Sequence, residues 1–153
     1  MKYDVFISYS WNDASRETAR EISKALVKDG VKAWFDEETM LPGDSYSKQI
    51  HEALSQCKFV IAVVAPEKNQ QAPPQTETSH GVACEIDKAE HLNKLIIPVV
   101  IDGASVQDIP PEIRDRAAVF WDSEHKEKAE EQILRAVKGT TLAERLKEYL
   151  TNE

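Results

Sequence analysis

The sequence predicts an α/β fold, a parallel five-stranded sheet covered by helices on both faces. Three observations carry this. Short apolar runs alternate with longer amphipathic stretches along the chain. One run, Phe59-Val60-Ile61-Ala62-Val63-Val64, is apolar throughout, as a strand buried on both faces must be. The 153 residues suffice for one domain and are too few for two ordinary ones. Strand–helix–strand units of this length connect right-handedly, and their commonest arrangement is a flavodoxin-like three-layer sandwich with strand order 2-1-3-4-5. Ligands then bind at the topological switch point, above strands 1 and 3 and outside their carboxyl ends.

Each element has its own signal. Residues 3–8, Tyr3-Asp4-Val5-Phe6-Ile7-Ser8, read as the first strand. Asn12 or Asp13 caps a helix with Ala19, Ile22 and Leu26 on one face, and Gly30 sits where a C′ glycine ends it. Residues 31–35 form the second strand. A turn-rich segment, 36–45, has Leu41-Pro42-Gly43-Asp44 at its centre and leads to a helix carrying Ile50, Ala53 and Leu54. After the third strand, residues 65–79 are polar, with Gln70-Gln71 and Pro73-Pro74, and a connection that long is usually functional or mobile. A helix over about 79–93 precedes the fourth strand, 95–101, where Pro98 lacks a ladder donor and predicts a bulge or local irregularity.

Pro110-Pro111 opens a short helical turn, and residues 117–121 are the fifth strand. Ser123 is placed to cap a helix bearing Ala129, Ile133 and Val137, with Gly139 ending it. The expected division is a domain over 1–138 and a helical extension over 139–153. In the extension, Thr141-Leu142-Ala143-Glu144 has the form of a capping box, and Leu142, Leu146 and Leu150 recur at i, i+4 and i+8 with Tyr149 beside them. That stripe either packs back on the domain or meets a second copy.

Composition excludes whole classes of partner. A net charge of −8 argues against a broad nucleic-acid surface, which needs clustered Lys and Arg, but not against a small anionic ligand held by local donors. No apolar run approaches the ~20 residues that span a bilayer. The N-terminus passes directly into a strand without signal-peptide architecture. Cys57 and Cys84 have neither CxxC nor metal-ligand spacing, so a reduced, cytoplasmic setting is expected.

Motifs of several chemistries are missing. No GxGxxG follows the first strand, no GxxxxGK[ST] occurs and no GxSxG elbow is present. A phospho-receiver would need an Asp directly after the third strand, which instead leads into Ala65-Pro66-Glu67. His51, His80, His91 and His125 are scattered without HExxH spacing and read as surface or cap residues, so no metal site is expected.

One charge is out of place. At 100° per residue, Val82, Ile86, Ala89 and Leu92 make an apolar stripe, and Glu85 falls about 60° from Val82, inside the stripe near its Leu92 edge. A carboxylate on a core-facing arc costs several kcal/mol if buried and unpaired, but is tolerable facing a cleft. Periodicity alone leaves two readings open: a functional carboxylate, or an edge residue that pairs with Lys88 or reaches solvent.

Tyr3-Asp4-Val5-Phe6-Ile7-Ser8-Tyr9-Ser10 resembles the first box of TIR (Toll/interleukin-1 receptor) domains. Val31-Lys32-Ala33-Trp34-Phe35-Asp36 followed by Leu41-Pro42-Gly43-Asp44 looks like their second strand and BB loop. Cys57-Lys58-Phe59-Val60-Ile61-Ala62-Val63-Val64-Ala65-Pro66 resembles the third strand and its exit. Glu85-Ile86, with Leu95-Ile96-Ile97-Pro98-Val99-Val100 after it, is similar to the helix and strand that follow. The resemblance runs from about Tyr3 to Val137 and is nearest to stand-alone bacterial members.

The resemblance implies an activity. In catalytic TIR domains a Glu at the Glu85 position cleaves the nicotinamide–ribose bond of NAD, so Glu85 is implied as the catalytic residue. Ser10, Trp11 and Pro42 fall on positions that contact substrate. Many members carry Trp four residues before the Glu, where this chain has Gly81, and Trp11 or Trp34 is then expected to supply the aromatic wall. Lys48 and the N-terminus of its helix are candidate phosphate donors, a solvated surface lysine being the stronger reading. NAD enters as substrate, with no cofactor and no metal. The family further implies self-association through the BB loop, a role in bacterial anti-phage signalling and a downstream effector that senses the nucleotide product. A non-enzymatic TIR–TIR interaction module, or a small-nucleotide receptor without turnover, are the competing classes.

Overall fold

The computed structural model describes residues 3–9, 13–35, 41–66, 82–109 and 113–151; of residues 46, 47, 82–85, 87 and 139–151 the backbone alone is described. Five strands, β1 (Val5–Ser8), β2 (Ala33–Trp34), β3 (Phe59–Val64), β4 (Leu95–Val100) and β5 (Val119–Phe120), form one sheet in the order β2-β1-β3-β4-β5. Every pair is parallel, β3 and β4 running in unbroken register from Phe59 opposite Leu95 to Val64 opposite Val100. The α-helices among the described residues are α1 (Asp13–Lys28), α2 (Tyr46–Gln56), α3 (Val82–His91) and α4 (Lys126–Thr151). Fold and strand order are those the sequence predicts.

The two-residue period of the strands divides the core. Val5 and Ile7 of β1 and Ile61 and Val63 of β3 face one layer, with Ala19, Ile22 and Leu26 of α1 and Ala129, Ile133 and Val137 of α4. Phe6, Val60, Ala62 and Val64 face the other, with Ile50, Ala53 and Leu54 of α2 and Ile86 and Ala89 of α3. All six residues of β3 are buried, as its continuous apolar run requires.

Two helix ends use the same device with different residues. Gly30, at φ +84°, donates to Val27 O at 3.0 Å while Val31 N–H reaches Leu26 O at 2.9 Å. Asn93, at φ +57°, donates to Glu90 O at 3.1 Å while Lys94 N–H reaches Ala89 O at 3.0 Å. Both are Schellman ends; Asn is the side-chain-bearing residue that best tolerates the left-handed region. Leu92, just past the helix, is 39 % exposed, so the expected apolar stripe of α3 narrows to Ile86 and Ala89 among its described side chains.

Several local expectations fail for identifiable reasons. Pro98 causes no bulge. Leu95 and Ile101 N–H both donate to β3 (Lys58 O at 3.2 Å, Val64 O at 3.1 Å), so odd-numbered residues of β4 face β3 and position 98 faces the β5 side. There pairing begins only at Val99, and no donor is lost. Ser123 does not cap α4, which starts at Lys126; its hydroxyl donates to Asp102 Oδ2 at 2.6 Å instead. Gly139 does not end the helix, which continues to Thr151. A mid-helix glycine costs only about 1 kcal/mol, and the good helix formers from Leu142 to Lys147 carry the helix on past Thr140 and Thr141. Thr141 therefore lies inside a helix, where backbone N–H groups are already engaged, and opens nothing. The second and fifth strands are shorter than residues 31–35 and 117–121.

Candidate active site

In a parallel sheet the helices begin where the strands end, so the carboxyl edge gathers strand exits, turns and helix N-termini. The switch point lies between β1 and β3. Beside it, aromatic pairs join β1 to the β2 segment in both core layers. Phe6 stacks on Trp34 with ring centroids 4.8 Å apart and planes within 5°, and Tyr9 packs on Phe35 at 5.3 Å. Trp34 is only 2 % exposed, so it braces β1 against β2 and supplies no aromatic wall to a substrate. Of the two tryptophans expected to supply that wall, Trp34 does not, and Trp11 lies outside the described residues.

Pro42 stands in an exposed turn at this edge, directly before α2. Asp44 N–H donates to Leu41 O at 3.0 Å, and Gly43 at φ +97° occupies the position of a type II turn that calls for glycine. Asp44 Oδ2 accepts the Leu41 N–H at 2.8 Å, closing the turn a second time. Ser45 caps α2 through its hydroxyl, which accepts the Lys48 N–H at 3.4 Å. This cap engages one of the N–H groups a phosphate would need at the α2 terminus, while Lys48 itself is exposed. The part played by Asp44 is missed by sequence reasoning; an acid one residue after Pro-Gly is the signal that would have found it.

Glu85 falls in the first turn of α3, at the carboxyl edge and on the same side of the sheet as α2; its backbone is described and its side chain is not. The helix that carries it is held on three sides. Ile86 and Ala89 are fully buried against β3 and β4. Glu90 accepts from Arg116 at 2.8 Å, tying α3 to the segment before β5. The Asn93 turn fixes its C-terminal end. Ser10 and Trp11 lie outside the described residues, as do Gly81, His80 and the segment 67–81. His51, His91 and His125 are exposed, as expected of surface residues.

A second concavity, about 280 Å³, opens at the ends of β4 and β5 against α1. Glu17, Glu21 and Asp102 line it. Three carboxylates repel a diphosphate, and Glu21 is engaged with Lys126 at 2.7 Å, so the cleft does not suit a dinucleotide. Cys57 is the other notable titratable group. Burial pushes its thiol from 9.0 up to about 11, against a smaller downward pull from the Lys94 charge, which leaves it protonated and unreactive at neutral pH.

The chain matches the model of the TIR domain family over residues 5–135 and belongs to that family. It is 28 % identical over 120 residues to the 2′ cyclic ADP-D-ribose synthase BtTIR of Bacteroides thetaiotaomicron, a match covering 77 % of this chain and 40 % of that one. It is 31 % identical over 98 residues to the NAD(+) hydrolase TcpA of Theionarchaea archaeon (strain DG-70-1), covering 64 % and 28 %. Among solved structures it is similar to a metazoan TIR-STING receptor from C. gigas in complex with 2′,3′-cGAMP, with a TM-score of 0.68 at 28 % identity, covering 88 % of this chain and 39 % of that one. The chain thus spans less than half the length of these relatives.

Proposed function

We propose that this TIR domain cleaves the nicotinamide–ribose bond of NAD, releasing nicotinamide with ADP-ribose or a cyclic ADP-ribose isomer. The observation that carries the reading is a glutamate, Glu85, at the start of a firmly anchored α3, in a chain whose relatives include an NAD(+) hydrolase and a 2′ cyclic ADP-D-ribose synthase.

One carboxylate suffices for this chemistry. Hydrolysis of an ordinary glycoside uses two because the leaving oxygen must be protonated. Nicotinamide departs from a pyridinium as a neutral molecule and needs no acid. What remains is positive charge growing on the ribose, which a fixed Glu85 carboxylate stabilises, while holding the ribose hydroxyls to orient the sugar. Water attack then yields ADP-ribose; attack by another part of the same molecule yields a cyclic isomer. Ser10, Trp11 and Pro42 contact the substrate in this reading through hydroxyl, stacking and backbone groups. NAD is consumed as substrate, and neither a cofactor nor a metal takes part.

The same reading extends to setting. The chain acts in the cytoplasm, assembles with its own copies through the exposed turn around Pro42, and serves bacterial anti-phage signalling through an effector that senses the product. No helix among the described residues is long and apolar enough to cross a membrane. The test is direct: incubate the purified chain with NAD and separate nicotinamide and nucleotide products by chromatography. Release of nicotinamide supports the reading, and its absence from folded protein at micromolar concentration favours a non-enzymatic interaction module.

A further inference from the structure

Residues 41–45 are all exposed, and Leu41 presents 69 % of its surface to solvent. Among the described residues packing does not hold this turn: none of them beyond its chain neighbours lies within 4 Å of where a Cβ on Gly43 would stand. Hydrogen bonds hold it, and both described bonds that close it end on Asp44. Its N–H donates to Leu41 O at 3.0 Å, and its carboxylate accepts the Leu41 N–H at 2.8 Å. A glycine inside an exposed loop gives the unclosed chain many alternative shapes, so the second bond matters more here than it would in a packed turn.

We propose that Asp44 is a positioning residue for NAD turnover, its carboxylate locking the Leu41-Pro42-Gly43 turn in the conformation that presents Pro42 to substrate. The proposal rests on the functional reading above and adds a residue to it. Asp44 touches neither NAD nor the reacting bond; it sets the fraction of molecules whose turn is ready to bind. When that fraction falls, apparent affinity falls by the same factor, while bound substrate still reacts at its own rate. Loss of one hydrogen bond to a charged acceptor shifts such an equilibrium by about tenfold. Asparagine keeps an acceptor oxygen at the same reach and restores most of the lock.

The test is steady-state nicotinamide release by the full chain and its Asp44→Ala and Asp44→Asn variants, at two protein concentrations tenfold apart. Asp44→Ala is expected to raise KM for NAD by about threefold or more, with about tenfold as the ceiling, and to leave kcat within about twofold; Asp44→Asn is expected to stay within about twofold of the parent. The pattern holds at both concentrations, and melting temperatures agree because the turn is exposed. An unchanged KM in Asp44→Ala, beside an active parent, overturns the proposal and leaves the functional reading standing. So does an Asp44→Asn as impaired as the alanine variant, or an effect confined to the lower protein concentration, which would mark an assembly contact instead. An inactive parent overturns the functional reading and this proposal with it.

Discussion

Cys57 shows how one buried group ties sequence to solution behaviour. Its thiol is 1 % exposed, its Sγ donates to Leu54 O at 3.5 Å, and burial raises its pKa to about 11. The unfolded chain releases this proton near pH 9 and the folded chain only near pH 11. Stability from the buried neutral thiol is therefore complete below pH 9 and declines as pH rises through 11. Denaturant titrations at pH 8 and pH 11 are expected to show Cys57→Ala losing less stability over that interval than the parent, by about 2 kcal/mol. Equal losses would mean the thiol ionises as readily folded as unfolded. A free cysteine was legible in the sequence; its inertness was not, because burial comes from the packing of α2 on β3. Trp34 teaches the same lesson, since a tryptophan near a binding edge reads as a wall until its burial and the Phe6 stack show it to be core.

The elements that frame the candidate site are held in different ways, and their variants separate accordingly. Gly43 has open space around it among the described residues, so a side chain there clashes with none of them and meets the penalty of its positive φ. Gly43→Val is expected to reduce nicotinamide release at least tenfold while the melting temperature shifts by less than about 4 °C. Parallel loss of both would mark the turn as merely structural. On α3 the balance reverses. Ile86→Ala, at a fully buried position, is expected to lower unfolding free energy by about 2–5 kcal/mol, and Leu92→Ala, at an exposed one, by less than about 1. Urea unfolding checks both. Helices and strands were legible because their apolar periods are strong. Pro98 was misread because a proline harms a parallel strand only on the side where a partner waits, and that depends on register. Gly139 was misread because a glycine permits a helix to stop without requiring it.

At the scale of the molecule, strand order follows from alternation and right-handed crossovers, which is why the sequence predicts 2-1-3-4-5 and the sheet has it. The last helix was the part least legible. Lys126 pairs with Glu21 and Lys138 with Asp29, so α4 runs alongside α1 in the same direction and passes its end. From residue 139 it continues for about three and a half turns. Removing residues 140–153 keeps Val137 and the Lys138–Asp29 pair, and the shortened chain is expected to melt within about 4 °C of the parent. A larger fall would show the leucines of the tail packed on the domain.

Of the candidate site, Glu85 and the Leu41-Pro42-Gly43-Asp44 turn were singled out in the sequence and fall at the carboxyl edge, whereas the second closure of that turn by the Asp44 carboxylate was not, because it depends on backbone geometry; Ser10 and Trp11 lie outside the described residues. In the proposed reaction the carboxylate of Glu85 stabilises charge on the ribose of NAD. This role is tested most directly by nicotinamide release from the parent and from Glu85→Gln, which keeps the shape and removes the charge. Turnover is expected to fall at least ~100-fold in a protein that melts at the parent's temperature or above it. Near-parental turnover in a folded Glu85→Gln protein would contradict that role.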